Sequence, residues 1–501
     1  MDLLSNLALG FATAASPENL LFCLIGVILG TLIGVLPGIG ATATIAMLLP
    51  ITFQLEPVSS LIMLAGIYYG AQYGGSTTAI LINMPGESSS AVTAIDGYQM
   101  ARRGKAGTAL AVAALGSFFA GSVATLLVAI FAPPLTIIAL KFGAAEYFSL
   151  MLLGLVSAIA LAHGSILKAL AMVVLGLLLG VVGTDIYTGT PRFTFGITAY
   201  ADGLNFVALA VGIFGIAEIL RNLEGEQDRT VLSTKLGALW PSKADLKAMV
   251  APMVRGTAIG SALGVLPGGG AVLAAFASYT VEKRLSKTPE EFGKGAIAGV
   301  AGPESANNSG AQTSFIPLLT LGIPANPVMA LMVGAMIIQG IVPGPNVATD
   351  QPALFWGIIA SMWIGNLMLI VLNLPLIGLW VKLLKVPYHV LFPVIMAFCS
   401  IGVYSVNSNV YDLYAVAGFG LLGYILLKLR CEPAPLLLGF VLGPLLEENL
   451  RRAMILGRGD PTVFVTRPIS ATLLLLTVLV LVVVLMPSVS KKRAEVFVEG
   501  D

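Results

Sequence analysis

Charged residues are scarce in this 501-residue sequence, where Asp, Glu, Lys and Arg together make up only 11%. Soluble globular proteins carry about a quarter of their residues as these four types. A chain with so little charge cannot cover a surface that faces water. Because 57% of its residues are hydrophobic, the composition predicts an integral membrane protein with lipid as its solvent. The formal net charge of +1 gives no support for a nucleic-acid partner.

Cysteine and histidine are also rare. The three cysteines, Cys23, Cys399 and Cys431, are odd in number and lack CxxC spacing. They therefore favour small packing residues over a disulfide framework or a zinc site, and two histidines are too few for a His-rich metal site. No Lys or Arg precedes the first apolar run, which begins at Leu20. A secretory signal normally has a basic start, so we expect this segment to remain in the mature protein.

Long apolar runs dominate what is present. A helix needs about 20 residues to cross some 30 Å of hydrocarbon, and several runs here are shorter or interrupted by proline and glycine. The pattern predicts an all-α polytopic membrane protein with about 11 to 14 membrane crossings and additional half-crossings.

Two sequence patterns occur twice, in the same order and at nearly the same spacing. The matching pairs are GVLPG at 34–38 and 264–268, with Gly40 and Gly270 in the same register, then GAQ at 70–72 and 310–312, then Pro85 and Pro324 after an apolar run. One short match could arise by chance in a chain with 56 glycines. Two ordered matches indicate an internal duplication.

Basic residues give the orientation of the two halves. They mark the loop 102–105 in the first half and the loop 283–294 in the second, whereas the corresponding loops, 324–327 and 54–60, have none. Since Lys and Arg stay on the cytoplasmic side, corresponding loops are expected to face opposite sides. This arrangement is an inverted-topology repeat, the plan of many secondary transporters.

The charged stretch in the middle of the chain divides the sequence. We expect a first membrane repeat at 1–220, a cytoplasmic linker at 221–250 and a second membrane repeat at 251–466. A C-terminal membrane helix and a cytoplasmic tail are expected at 467–501.

The Pro-Gly interruptions predict binding sites. Proline removes a backbone donor and glycine opens conformations closed to other residues, so a broken or re-entrant helix is expected at each copy. A helix that starts after the break offers free N–H groups and the positive end of its dipole to a carboxylate. The residues predicted to bind substrate there are Gly38, Gly40, Thr42, Gly268 and Gly270. The alternative is a tight turn or a kinked packing helix.

A second pair of segments is polar where a membrane helix is normally apolar. The strings GAQYGGSTT at 70–78 and PESANNSGAQTS at 303–314 are rich in hydroxyl and amide groups, which suit both Na⁺ and a carboxylate at a dry site. The alternative is hydrogen bonding between helices, but so much polarity is expensive in lipid. The predicted substrate-binding residues are Gln72, Ser76, Thr77, Thr78, Asn307, Asn308, Ser309 and Gln312, and the predicted Na⁺ ligands are Asn83, Thr313, Ser314 and Asn326.

Isolated charges near the ends of apolar runs are weaker indicators of function than the repeated segments. Acids such as Glu146 and Asp185 are expected to be solvated at headgroup level, and Arg192 and Arg255 to reach the interface along their aliphatic stems.

An enzymatic reading has little support. The string GRGD at 457–460 resembles the GxGD string of intramembrane aspartyl proteases, but it stands in a polar loop. No HExxH, GxSxG or phosphate-binding loop is present. We therefore expect no enzymatic activity.

The motifs together resemble one family. The strings GVLPGIG at 34–40, YYGAQYGGSTTAIL at 68–81, PGESSSAV at 85–92 and GPESANNS at 302–309 are similar to those of the large permease subunit of tripartite tricarboxylate transporters, the TctA-like family. The resemblance covers about 20–470 of the chain. It implies a multi-pass permease of the bacterial inner membrane that imports citrate or another small carboxylate. It also implies a small four-helix membrane subunit, a periplasmic solute-binding protein, and Na⁺ or H⁺ as the coupling ion, with no other cofactor.

Two rival functions belong to other classes. A non-transporting membrane scaffold would tolerate the loss of polar residues in the repeated segments. An ion channel would conduct without saturation or coupling. Neither is favoured by the paired Pro-Gly breaks, which predict binding at mid-membrane.

Overall fold

The computed structural model describes residues 3–36, 40–162, 165–224, 240–266, 270–383 and 388–486. Both Pro-Gly breaks lie outside these ranges, so the predictions for Gly38 and Gly268 fall on residues that are not described. The prolines of the two breaks, Pro37 and Pro267, are likewise outside the described residues.

The described part of the first half consists almost entirely of helices. They are α1 (Leu3–Ala14), α2 (Pro17–Val35), α3 (Gly40–Thr52), α4 (Pro57–Ile82), α5 (Ala91–Arg102), α6 (Ala106–Ala139), α7 (Ala144–Leu161), α8 (Ile166–Gly180), α9 (Phe206–Ala210) and α10 (Ala217–Glu224). A π-helical stretch, Val211–Ile216, joins α9 to α10, and a 3-10 turn, Ser88–Ser90, precedes α5. Two short antiparallel strands, β1 (Gly183–Thr184) and β2 (Pro191–Arg192), form a hairpin between α8 and α9.

The second half continues in the same way. Its helices are α11 (Lys243–Gly264), α12 (Gly270–Leu285), α13 (Ala298–Thr313), α14 (Phe315–Leu321), α15 (Pro327–Ile338), α16 (Val347–Asp350), α17 (Pro352–Asn373), α18 (Ile377–Leu383), α19 (Tyr388–Asn407), α20 (Val410–Lys428), α21 (Ala434–Leu456), α22 (Val463–Thr466) and α23 (Pro468–Leu485). Helix α11 begins inside the region predicted as the linker 221–250, after Ser242, whose side chain caps it at Asp245.

Five helical segments of the described chain are long and apolar enough to cross a membrane. They are Pro17–Val35, Ala106–Ala139, Phe206–Glu224, Pro352–Asn373 and Val410–Lys428. Shorter apolar helices accompany them, α3, α7, α8 and α15 among them. The prediction of an all-α membrane protein is confirmed at this level. The number of crossings and the inverted orientation of the repeats remain predictions.

Glycines bring the first long helix of each half into backbone contact with a partner helix. A Cβ added at Gly30 of α2 would lie 2.3 Å from the carbonyl oxygen of Ile67 in α4, and one added at Gly260 of α11 would lie 2.2 Å from that of Ala306 in α13. No side chain fits at such distances. Small residues allow this close approach between helices, which gain van der Waals contact where lipid gives no hydrophobic driving force.

The glycines after the two breaks have similar surroundings in the two halves. Gly40 opens α3 with φ +65°, and the neighbouring N–H of Ala41 donates to Oε1 of Glu87. Gly270 opens α12 with φ +35°, and a Cβ added there would lie 3.6 Å from Nδ2 of Asn326. Glu87 stands two positions after Pro85, and Asn326 stands two positions after Pro324. The repeated sequence patterns therefore occupy comparable local settings.

The centre of the protein is formed by α4, α13, α15 and α17, whose residues are mostly buried. Helix α13 is the unusual member, because it is buried from Gly299 to Thr313 although many of its side chains are polar. Helices α11, α12 and α6 pack around it. The sequence thus places its most polar membrane segment at the most enclosed position.

Ion pairs account for acids that we expected to be solvated. Glu146 is 2% exposed, and its Oε1 lies 2.6 Å from Nε of Arg467, which precedes α23. Asp185 in the hairpin is 4% exposed, and its Oδ2 lies 3.0 Å from Nη1 of Arg451 in α21. The expectation of solvated acids is therefore wrong for these two. The physical reason is an arginine supplied by a distant part of the chain, which offsets the cost of burying the charge.

Two arginines are likewise paired rather than free. Arg192 lies 2.8 Å from Glu447 of α21, and Arg255 in α11 makes two hydrogen bonds to Glu282 in α12, at 2.8 and 2.5 Å. Glu282 is 2% exposed. Pairs of this kind hold separate segments of the chain together.

Candidate functional site

A buried carboxylate is the centre of a polar cluster between the two halves of the chain. Glu304 in α13 is fully buried. Its Oε1 accepts hydrogen bonds from the hydroxyl of Ser76 in α4, at 2.7 Å, and from that of Thr93 in α5. Its Oε2 accepts from the hydroxyl of Ser117 in α6, at 3.3 Å. Three helices from the first half therefore converge on one carboxylate from the second.

Asn308, one helical turn after Glu304, extends the cluster. Its Nδ2 donates to Oγ of Ser117 at 2.7 Å and to the main-chain carbonyl of Glu304 at 3.1 Å. Ser117 thus accepts from the amide and donates to the carboxylate. The spacing of four residues on a helix explains why both side chains of α13 reach the same serine.

A small cavity of about 10 Å³, room for roughly one water molecule, adjoins the cluster. Its polar lining comes from Tyr73, Ser76, Thr77, Ser117, Glu304 and Asn373, and the remainder is aliphatic. Asn373, the last residue of α17, is 5% exposed. Its Nδ2 donates to the carbonyl of Leu369 at 2.9 Å, while its Oδ1 is buried with no hydrogen-bond partner among the described residues.

Two further amide side chains, both in α13, have buried atoms without partners in the described part of the chain. They are both polar atoms of the Asn307 side chain and Oε1 of Gln312. An unpaired amide atom costs about 1–3 kcal/mol when buried, and native proteins keep such groups rarely and for a reason. The two residues are therefore poised to bind a polar ligand.

Most of the other predicted substrate-binding residues use their side chains within the protein. Gln72 accepts from the hydroxyl of Ser89 at 2.8 Å. The hydroxyl of Thr78 donates to carbonyls at the end of α2, including that of Val35 at 3.0 Å, and that of Ser309 donates to the carbonyl of Ser305 at 2.7 Å. Thr42 is half-buried in the first turn of α3. These contacts support the broken ends of the helices.

The four predicted Na⁺ ligands differ in their surroundings. Asn83 ends α4 in the left-handed conformation and is exposed. The hydroxyl of Thr313 donates to the carbonyl of Ser309 at 3.0 Å, and that of Ser314 to the carbonyl of Ala311 at 2.6 Å. Asn326 caps α15, because its Oδ1 accepts from the N–H of Met329 at 2.9 Å.

The anion expected at the first Pro-Gly break has a counterpart in the protein itself. Glu87 is the carboxylate whose Oε1 accepts from the N–H of Ala41, near the start of α3. A helix N-terminus attracts a carboxylate through its free N–H groups and its dipole. The start of α3 therefore binds a carboxylate, and this carboxylate is the side chain of Glu87.

Sequence reasoning missed the members of the Glu304 cluster that come from other helices. Thr93, Ser117 and Asn373 lie in α5, α6 and α17, outside the polar strings of the sequence, and Glu304 stands within one of those strings. The available signal was a lone polar residue within a long apolar run, as at Ser117 and Asn373, because burying such a group in lipid is unfavourable.

The fold and this cluster define a multi-pass, all-helical membrane protein with an enclosed polar interior. A family model described as the tripartite tricarboxylate transporter TctA family matches residues 20–438. The chain belongs to this family, and the resemblance expected from its motifs is confirmed. The family is one of transporters, which agrees with the expectation that the chain is not an enzyme.

Two relatives from Agrobacterium vitis match over their whole length. One, described as an uncharacterized 52.8 kDa protein in the TAR-I ttuC' 3' region, is 69% identical over 501 residues, which is 100% of both chains. The other, described as an uncharacterized protein in the TAR-II ttuC' 3' region, is 71% identical over 242 residues, which is 48% of this chain and 100% of the relative. No solved structure matches the chain.

Proposed function

We propose that this chain is the large permease subunit of a binding-protein-dependent secondary transporter that imports a tricarboxylate or another small carboxylate. A gradient of Na⁺, or of H⁺, drives the uptake. The observation that carries the proposal is the helix α13, in which both polar atoms of the Asn307 side chain and Oε1 of Gln312 are buried with no partner among the described residues. In a membrane protein, unpaired polar groups at such depth mark a substrate or ion pathway.

The substrate-binding groups are the broken helix ends and the free amide donor of Asn307. Gly40 and Gly270 begin helices whose N-terminal ends attract carboxylates, and Gly38 and Gly268 precede them in the sequence. The N–H of Ala41 already donates to Glu87, so a substrate at the start of α3 uses other N–H groups of the first turn. Asn307 offers an amide donor, its Nδ2, without a competing partner in the described residues. Together these groups bind an anion without a lysine or an arginine.

Partners and location follow from the family. A tripartite system includes a small membrane subunit, for which we propose four helices, and a periplasmic solute-binding protein that delivers the carboxylate. We place the chain in the bacterial inner membrane, with the basic loops 102–105 and 283–294 on the cytoplasmic side.

Uptake in membrane vesicles tests the proposal. Vesicles that contain the chain with its small membrane subunit are supplied with the binding protein and a panel of radiolabelled di- and tricarboxylates. The imposed gradient is Na⁺, H⁺ or neither. We expect saturable accumulation of at least one carboxylate that requires both the binding protein and an ion gradient.

Asn308→Ala separates transport from the rival functions. The variant removes a bond to Ser117 in the buried cluster, so uptake should fall by at least about tenfold, the rate equivalent of about 1.4 kcal/mol. A scaffold would show no dependence of uptake on this residue. Flux that rises linearly with substrate and needs no gradient would identify a channel and contradict the proposal.

A further inference from the structure

We propose that the Glu304 cluster is the binding site for the coupling cation, and that the cation is Na⁺. This inference rests on the proposed transport function and assigns one of its two ligands to a defined place. The site comprises the carboxylate of Glu304, the hydroxyls of Ser76 and Ser117, and Oδ1 of Asn373.

The first argument is charge. Glu304 is fully buried, and its described partners are the hydroxyls of Ser76, Thr93 and Ser117, none of them a cation. An ionised carboxylate buried without a positive partner is very unfavourable. Among the other buried acids, Glu146, Asp185 and Glu282 each have an arginine, and Asp96 and Asp412 accept from N–H groups of the main chain or of amide side chains. Glu304 has neither kind of partner in the described residues, because its donors there are all hydroxyls. Glu304 therefore requires a positive charge that the described side chains do not supply.

The second argument is the balance of donors and acceptors around the cavity. The hydroxyl of Tyr73 donates to Asn366 at 2.7 Å, that of Ser76 to Glu304 at 2.7 Å, and Nδ2 of Asn373 to Leu369 at 2.9 Å. These donors are occupied, whereas Oδ1 of Asn373 is a buried acceptor with no donor in the described residues. A site with free acceptors and occupied donors binds a cation and repels a carboxylate.

The third argument is the type of ligand. Carboxylate, hydroxyl and amide oxygens suit hard cations such as Na⁺, and a single carboxylate matches a single positive charge. The cavity reaches Glu304, Ser76, Ser117 and Asn373 at once. This assignment moves Ser76 from substrate binding to cation binding and leaves Nδ2 of Asn307, a free donor in the described residues, for the carboxylate.

Direct Na⁺ binding tests the site independently of transport. The full-length chain in lipid nanodiscs is titrated with radioactive Na⁺ at constant ionic strength, with choline chloride as the replacement salt. Wild-type protein should bind Na⁺ saturably. Glu304→Gln keeps the shape and removes the charge, so the affinity should fall more than about 100-fold, because the charge–cation attraction is large in a dry site.

Asn373→Leu and Ser117→Ala remove single oxygen ligands and should each lower the affinity by about tenfold. Asp412→Asn is the matched control. Asp412 is 5% exposed and accepts from amides of Asn205 and Asn407, away from the cluster. Its substitution should leave the Na⁺ affinity unchanged. All variants are checked for a wild-type elution profile in size-exclusion chromatography.

Unchanged Na⁺ affinity in Glu304→Gln would overturn the assignment. If that variant does not fold, unchanged affinity in both Asn373→Leu and Ser117→Ala would have the same consequence. Wild-type protein that binds no Na⁺, with uptake that follows pH alone, would also overturn it in favour of a proton at Glu304. Na⁺ binding without any carboxylate uptake would leave the site standing and contradict the transport function instead.

Discussion

Replacing Asp96 by alanine is expected to release the loop between α12 and α13 from α5. Asp96 is fully buried. Its Oδ1 accepts from the N–H groups of Gly293, Gly295 and Ala296, at 2.9, 2.7 and 2.8 Å. Its Oδ2 accepts from the hydroxyl of Tyr279 in α12, at 3.0 Å. One carboxylate of the first half thus holds the segment that leads into α13 of the second.

The size of the effect follows from the donors that lose their acceptor. A buried donor without a partner costs about 1–3 kcal/mol. Gly293 and Gly295 are only half-buried, so water compensates part of the loss, and we expect about 3 kcal/mol in total. Asp96→Asn keeps an oxygen acceptor and should cost less. Tyr279→Phe removes one bond and should cost about 1 kcal/mol.

Trypsin provides the assay, because Lys294 stands between two of the glycines that Asp96 holds. When the loop opens and closes faster than the protease cuts, the cleavage rate follows the open population. Cleavage after Lys294 should therefore rise about 100-fold in Asp96→Ala and about fivefold in Tyr279→Phe. Cleavage after Arg458, an exposed residue beyond α21, serves as the internal reference.

The reasoning about Asp96 would be refuted by a wild-type rate of cleavage after Lys294 in the alanine variant. It would also fail if every tryptic site were accelerated equally, because that result indicates global unfolding rather than release of one loop. Mass spectrometry of the fragments distinguishes the two patterns.

Three further predictions concern packing, an ion pair and the polar cluster. Gly260→Ala should lower the free energy of unfolding by about 3 kcal/mol through overpacking. Gly418→Ala, where a Cβ meets nothing within 4 Å, should not lower it. Asp185→Asn should destabilise the protein at neutral pH. The N–H of Tyr187, together with Arg451, holds the pKa of Asp185 below its ordinary value, so this stabilisation is present above the unfolded-state pKa and is lost as pH falls through the folded-state pKa. The difference in Tm from wild type should shrink below about pH 4. Asn308→Ala should reduce carboxylate uptake while a wild-type elution profile is kept.

The sequence alone predicted the class of protein and the position of its unusual segments. Scarcity of charge and long apolar runs are properties of composition, so they indicated a helical membrane protein without any knowledge of contacts. The Pro-Gly breaks and the polar string in α13 were visible for the same reason, since a local departure from the membrane-helix pattern needs no partner to be recognised. The family followed from these local strings.

Only the tertiary structure decided which polar groups meet. Ser76, Thr93 and Ser117 lie in three different helices, and none has a sequence neighbour that points to Glu304. A hydroxyl in a helix can bond to a carbonyl of its own preceding turn, as that of the predicted Na⁺ ligand Thr313 does. Sequence pattern does not distinguish that use from ligand binding.

The same distinction holds for the charges. An acid near the end of an apolar run has one sequence signature whether it is solvated or paired, so Glu146 could not be assigned to Arg467 in advance. Periodicity and composition are set within one helix, and the sequence determines them by itself. Which carboxylate is neutralised by an arginine depends on helix packing between distant segments and is decided by the tertiary structure.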